Sequence, residues 1–144
     1  MTTLVYSRLE KAMAADTLVS NGRPDGTVSK IVRHKKSGAI CGGCGTLPVV
    51  QRFLKVFKDR GFNPVKLPDM DKDSAVMVVT RDGEVWHLED TGWYTYEAEF
   101  YTWGTGENFA IGALMAGATV KRAVEIAGVC NPGQTNTKVE VLYL

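Results

Sequence analysis

Short β-prone runs come in pairs around turn signals in this sequence, and blocks of helical spacing separate the pairs. Residues 3–7 and 11–15 flank a polar break at Arg8-Leu9-Glu10, residues 29–34 and 39–44 flank Lys35-Lys36-Ser37-Gly38, and residues 75–80 and 84–88 flank Arg81-Asp82-Gly83. Between the second and third pairs, Thr46 offers a helix cap and Pro48 suits a first turn. Val50, Phe53, Leu54 and Phe57 then recur at helical spacing until Gly61. Residues 107–116 and 120–128 read as two more helices, the second capped by Thr119, and residues 137–144 alternate as a terminal strand. Hairpins kept apart from helices predict an α+β architecture of antiparallel sheets, not strand-helix alternation.

Two segments interrupt this pattern. Asn21-Gly22 and Pro24-Asp25-Gly26 predict a loop over residues 17–27, and the Pro- and Asp-rich residues 63–73 lack periodicity and read as a linker within the fold. After Gly92, an aromatic run (Trp93, Tyr94, Tyr96, Phe100, Tyr101, Trp103) ends in Gly104-Thr105-Gly106. No basic residue interleaves it, so it reads as core and subunit contact rather than a nucleic-acid platform.

Composition narrows the function classes. A chain of 144 residues that is 44% hydrophobic and 23% charged suits a single domain, residues 1–144, with a real core. The longest apolar region, residues 109–120, falls short of the roughly 20 residues a membrane span needs. Arg8, Glu10 and Lys11 arrive before any secretory apolar core. A cytoplasmic protein is expected, and the odd count of three cysteines, Cys41, Cys44 and Cys130, suits a reducing compartment. These cysteines with His34 and His87 contain no second close pair, so neither a structural zinc site nor a cofactor is expected. Gly104-Thr105-Gly106-Glu107 lacks the Lys-Ser/Thr ending of a phosphate-binding loop. The net charge of +1 excludes a dedicated nucleic-acid binder, yet residues 1–60 hold 11 basic against 4 acidic side chains and residues 61–144 hold 6 against 12. Two unlike halves pair within one fold or between subunits.

Chemistry enters at Met1-Thr2-Thr3. An initiator methionine followed by a small residue is readily removed, and its loss exposes Thr2. A threonine hydroxyl is a poor nucleophile alone, but the α-amine of the same residue, with a reference pKa near 7.7–8.0, serves as its general base. Such a site needs a cation to keep that amine neutral, a carboxylate to orient the cation, and backbone N–H donors for the oxyanion. Asp16 at the end of the second strand, Lys30 on the third and Gly42-Gly43 at the end of the fourth supply one candidate for each.

These residues resemble the proteasome β-subunit family of N-terminal nucleophile hydrolases, and most of all its HslV-type peptidases. The resemblance runs through Thr2-Thr3-Leu4-Val5, Ala14-Ala15-Asp16, Lys30-Ile31-Val32-Arg33, Ile40-Cys41-Gly42-Gly43 and Gly104-Thr105-Gly106-Glu107-Asn108-Phe109-Ala110. It implies a four-layer αββα sandwich, here with one helical layer shortened because residues 63–73 replace a helix. It implies Thr2 as nucleophile, Asp16 orienting Lys30, Lys30 tuning the Thr2 amine and Gly42 as oxyanion donor. Thr105 stands where the family usually has serine, its hydroxyl directed to the Thr2 amine. The resemblance further implies a homo-oligomeric ring that degrades peptides or unfolded proteins, in some members with an ATP-dependent unfoldase. A catalytically silent assembly protein of the same fold is the alternative. Residues 131–136 match no site residue of the family and receive no role.

Overall fold

The computed structural model describes residues 1–19 and 26–144. In chain order they form β1 (Leu4–Ser7), β2 (Ala12–Asp16), β3 (Leu18–Val19), β4 (Gly26–Thr27), β5 (Ile31–Arg33), β6 (Ile40–Cys44), α1 (Leu47–Arg60), β7 (Ala75–Val79), β8 (Val85–Glu89), β9 (Gly92–Tyr94), β10 (Phe100–Trp103), α2 (Glu107–Met115), α3 (Val120–Cys130) and β11 (Val139–Tyr143). The turn signals at Asn21-Gly22 and Pro24-Asp25 lie outside the described residues. The chain forms two compact units, Met1–Ser29 with Ala98–Tyr143, and Lys30–Glu97 with Leu144.

The first unit is built on a four-stranded antiparallel sheet in the order β10-β1-β2-β11. Leu4 is flanked by Trp103 on one side and Ala15 on the other, and Asp16 pairs with Val139. Alternation along the strands turns Val5, Ala12 and Ala14 to the face where α2 and α3 pack, and there they meet Ala110, Leu114, Val120, Ala123, Val124 and Ala127. Five of these nine core residues are alanine, so the helices sit close to the sheet. Two acceptors cap α3: the Thr119 hydroxyl takes the Arg122 N–H at 3.2 Å, as the sequence predicts, and Glu10 takes the Val120 N–H at 2.7 Å. A two-residue ladder, β3 with β4, stands apart from this sheet.

The second unit is a five-stranded antiparallel sheet in the order β5-β6-β7-β8-β9, with α1 on one face. Val50, Phe53, Leu54 and Phe57 form the buried stripe of α1 and pack on Ala39, Cys41, Val76, Val78 and Leu88. Gly43 lets the helix approach, since a Cβ there would lie 2.6 Å from the Val50 side chain. Residues between α1 and β7 form no helix, but Leu67 and Met70 extend the same core, so among the described residues α1 alone covers this sheet as helix.

Three details depart from the sequence reading. Thr46 occupies the cap position of α1 without a side-chain cap; its own N–H donates to Ser74 Oγ at 2.9 Å. Within residues 17–27, expected as a loop, Leu18–Val19 and Gly26–Thr27 pair as the short ladder of β3 and β4. The aromatic run contains two strands, β9 and β10, that its lack of alternation concealed.

Candidate active site

Thr2 and Thr3 lead into β1 and are both buried. The Asp16 carboxylate, fully buried at the end of β2, holds them in place. One oxygen accepts the Thr3 N–H at 2.7 Å and the other accepts the Leu18 N–H at 3.0 Å, while the Asp16 N–H returns to the Thr3 carbonyl at 3.1 Å. Backbone N–H donors suit an ionised carboxylate, so burial here is compensated.

Against the same residues lies the turn from β10 into α2. The Thr2 carbonyl accepts the Gly106 N–H at 3.3 Å and, in a long contact, the Thr105 hydroxyl at 3.4 Å. Thr105 thus reaches the Thr2 carbonyl, not the nitrogen that the sequence reading proposed for it. Glycine is required on both sides of Thr105. Gly104 has φ 95°, and a Cβ on it would overlap the Thr2 carbonyl; a Cβ on Gly106 would overlap the Thr3 hydroxyl.

Residues 131–136, without a role in the sequence reading, fasten this arrangement. Thr135 is buried, and its hydroxyl accepts the Thr3 hydroxyl at 3.0 Å. Asn131 Nδ2 donates to the Thr105 carbonyl at 3.3 Å, and Asn136 Oδ1 accepts the Thr17 N–H at 3.2 Å. Sequence signal for this was limited to a density of Asn and Thr after a helix. Beside it, a cleft of about 310 Å³ is lined by Thr17, Thr27, Val28, Ser29, Lys138, Val139 and Glu140.

The remaining predicted residues belong to the second unit. Lys30 is 3% exposed and stands one residue before β5, where its carbonyl accepts the Gly43 N–H at 3.1 Å. A lysine is seldom buried so far without a partner for its ammonium. Gly42 lies inside β6, in register with Ile31 on one side and Met77 on the other. Since the Gly43 N–H points toward β5, alternation turns the Gly42 N–H toward β7 and into the ladder. The exposed glycine at the junction with α1 is Gly45, with φ 116°. Elsewhere in this unit, burial pushes the Cys41 thiol well up and brings His87 down to about 4, and the His87 ring stacks against both Tyr94 and Tyr96. Among the described residues no group of three or more His, Cys, Asp or Glu is placed to hold a metal, and no helix is long and apolar enough to cross a membrane.

The α+β fold is shared with solved HslV-type structures. Among solved structures, the chain is similar to eukaryotic HslV from Trypanosoma brucei, with a TM-score of 0.66 and 16% identity over 97% of this chain and 97% of that one. It is also similar to BPH from Thiobacillus denitrificans, with a TM-score of 0.65 and 16% identity over 98% of this chain and 95% of that one. BPH in complex with epoxomicin gives 0.63 and 15% over 98% and 96%. No family model and no curated protein matches the sequence.

Proposed function

We propose that this protein is a threonine-type peptidase whose nucleophile is Thr2, freed by removal of Met1. The observation that carries the reading is the mounting of the N-terminus: Asp16 grips Thr3 from one side and the 104–106 turn grips the Thr2 carbonyl from the other. A structural terminus needs no such restraint, whereas a nucleophile gains most from fixed orientation. In the reaction, the Thr2 hydroxyl oxygen attacks the carbonyl carbon of a peptide bond and its proton passes to the Thr2 amine. The tetrahedral intermediate collapses, the C–N bond breaks, and the amine delivers that proton to the departing nitrogen. Water then attacks the resulting ester, with the amine again taking a proton, and restores the hydroxyl.

In this reading Lys30 holds the Thr2 amine neutral, Asp16 orients Lys30 and fixes residue 3, and Thr105 locks the Thr2 backbone. The sequence nominates Gly42 for the oxyanion. Gly45, an exposed residue at the junction with α1, is a second candidate for that role. The substrate is a peptide or unfolded protein, and the enzyme works in the cytoplasm as a homo-oligomeric ring served by an ATP-dependent unfoldase. Likeness to HslV, and the epoxomicin bound to BPH, support this reading.

Intact mass spectrometry of natively expressed protein, followed by incubation with epoxomicin, tests it. The expected result is loss of Met1 and one covalent adduct, with adduct and turnover both abolished in Thr2→Ala. Lys30→Ala is expected to lose acylation while its circular dichroism stays native. Retention of Met1 throughout, or processed protein that takes no label, leaves the silent assembly protein as the correct reading.

A further inference from the structure

Residues 61–74 return from α1 to β7 without helix or strand, and their end is tied back to the start of the same helix. The register of β6 on β7 runs to the pair of Cys44 with Ala75, and one step further it sets Gly45 against Ser74. The two backbones lie closer there than a side chain at 45 allows. A Cβ on Gly45 would overlap the Asp73 carbonyl oxygen and stand 2.7 Å from Ser74 Oγ, and Gly45 has φ 116°. Ser74, which is buried, also accepts the Thr46 N–H at 2.9 Å, so both residues that join β6 to α1 rest on residues 73–74.

Asp71 braces this support. Its carbonyl accepts the Ser74 N–H at 3.2 Å and its Oδ1 accepts the Asp73 N–H at 3.2 Å, which closes the segment on itself. The Ser74 hydroxyl holds the Asp71 carboxyl below its ordinary value, partial desolvation opposes it, and the Thr46 hydroxyl adds to the lowering. Thr46 meanwhile makes no side-chain cap, although it stands at the head of α1 where a cap would stabilise the helix. Helix stability alone therefore does not account for the arrangement. Among the described residues the exposed Gly45 has no hydrogen-bond partner for its N–H. A donor that is held in one direction and left open is what charge developing on an oxygen requires.

We infer that Asp71 and Ser74 are positioning residues, which act through the backbone of Gly45 and Thr46 to fix the Gly45 amide as a donor to the oxyanion of the tetrahedral intermediate. The inference rests on the peptidase reading and goes beyond it by giving a role to the aperiodic segment after α1. Turnover of a fluorogenic peptide amide by the full chain tests it, with a peptide boronate as probe of the tetrahedral state. Ser74→Ala removes the acceptor for the Thr46 N–H, and Asp71→Asn keeps the shape of the brace without its charge. Each is expected to lower kcat about tenfold with KM unchanged within about twofold, because a displaced donor is felt in the transition state and not in substrate binding. Boronate affinity is expected to weaken by the same factor as kcat, while circular dichroism stays native. Asp69→Asn, at an exposed aspartate of the same segment, is expected to match the wild type. Asp71→Asn, on a half-buried residue, decides alone if Ser74→Ala does not fold. Wild-type kcat in the folded variants overturns the inference and leaves the peptidase standing, as does a loss that appears in KM or is shared by Asp69→Asn. A wild-type chain that neither turns over peptide nor takes epoxomicin overturns the peptidase reading, and this inference with it.

Discussion

The two units solve the same problem, a sheet covered by helix, with opposite means. In the second, α1 presents phenylalanine, leucine and valine to a sheet face of valine, leucine and cysteine, a core filled by large side chains. In the first, alanines on β2, α2 and α3 bring backbone near backbone, and glycines at 106 and 128 bring it nearer still. A core of large residues tolerates crowding poorly but fails mainly when emptied; a core of small ones has nothing to empty and fails when anything is added. The candidate nucleophile is mounted on the unit with the smaller freedom to relax.

The strongest way to break this contrast is to remove bulk from the second unit. Phe57→Ala, at a fully buried position, is expected to cost about 3–5 kcal/mol in urea denaturation. If Ala123→Gly, which removes one carbon from the first core against six in Phe57→Ala, costs as much, the contrast is wrong. Adding a single methyl group to the first unit comes next. Gly106→Ala meets the Thr3 side chain and, at 3.2 Å, Ala127, and is expected to cost about 1–3 kcal/mol and to suppress epoxomicin labelling. Native stability and labelling in that variant would remove the steric argument for the 104–106 turn. The smallest effect concerns pH and sharpens the account of the second unit. The folded value of His87, near 4, lies below its ordinary 6.5, so the unfolded chain binds the extra proton first. Stability is therefore full above about pH 6.5 and falls as pH drops toward 4. His87→Gln is expected to flatten that part of the stability curve measured by thermal melting, and an unchanged slope would assign it to other groups.

The fold was legible wherever a turn signal and a period coincided. The hairpin at Lys35-Lys36-Ser37-Gly38, the stripe of α1 and the Thr119 cap all follow from local chemistry and stand in the structure. Misreadings came where one residue type serves two purposes. Residues 17–27 read as one loop because Asn, Gly, Pro and Asp crowd that stretch, yet Gly26 belongs to β4 and Leu18–Val19 pairs with it as β3. The aromatic run hides β9 and β10 because Trp93, Tyr94, Phe100 and Tyr101 place aromatics on successive residues and erase alternation. Of the candidate site, Thr2, Asp16 and Thr105 were legible through resemblance. Thr135 and Asn136 were not, since hydrogen bonds across more than a hundred residues leave no trace in spacing.

The Asp16 clamp also sets a schedule. Thr3 and Asp16 are only 13 residues apart, at the open end of a hairpin with a four-residue turn, and hairpins close in about 1–10 μs. Thr135 joins Thr3 from 132 residues away, and the 104–106 turn must come from nearly as far, so both pay the slow entropy of long loop closure. The seat of the candidate nucleophile can therefore be laid down early in synthesis, and the parts that lock it arrive more than a hundred residues later.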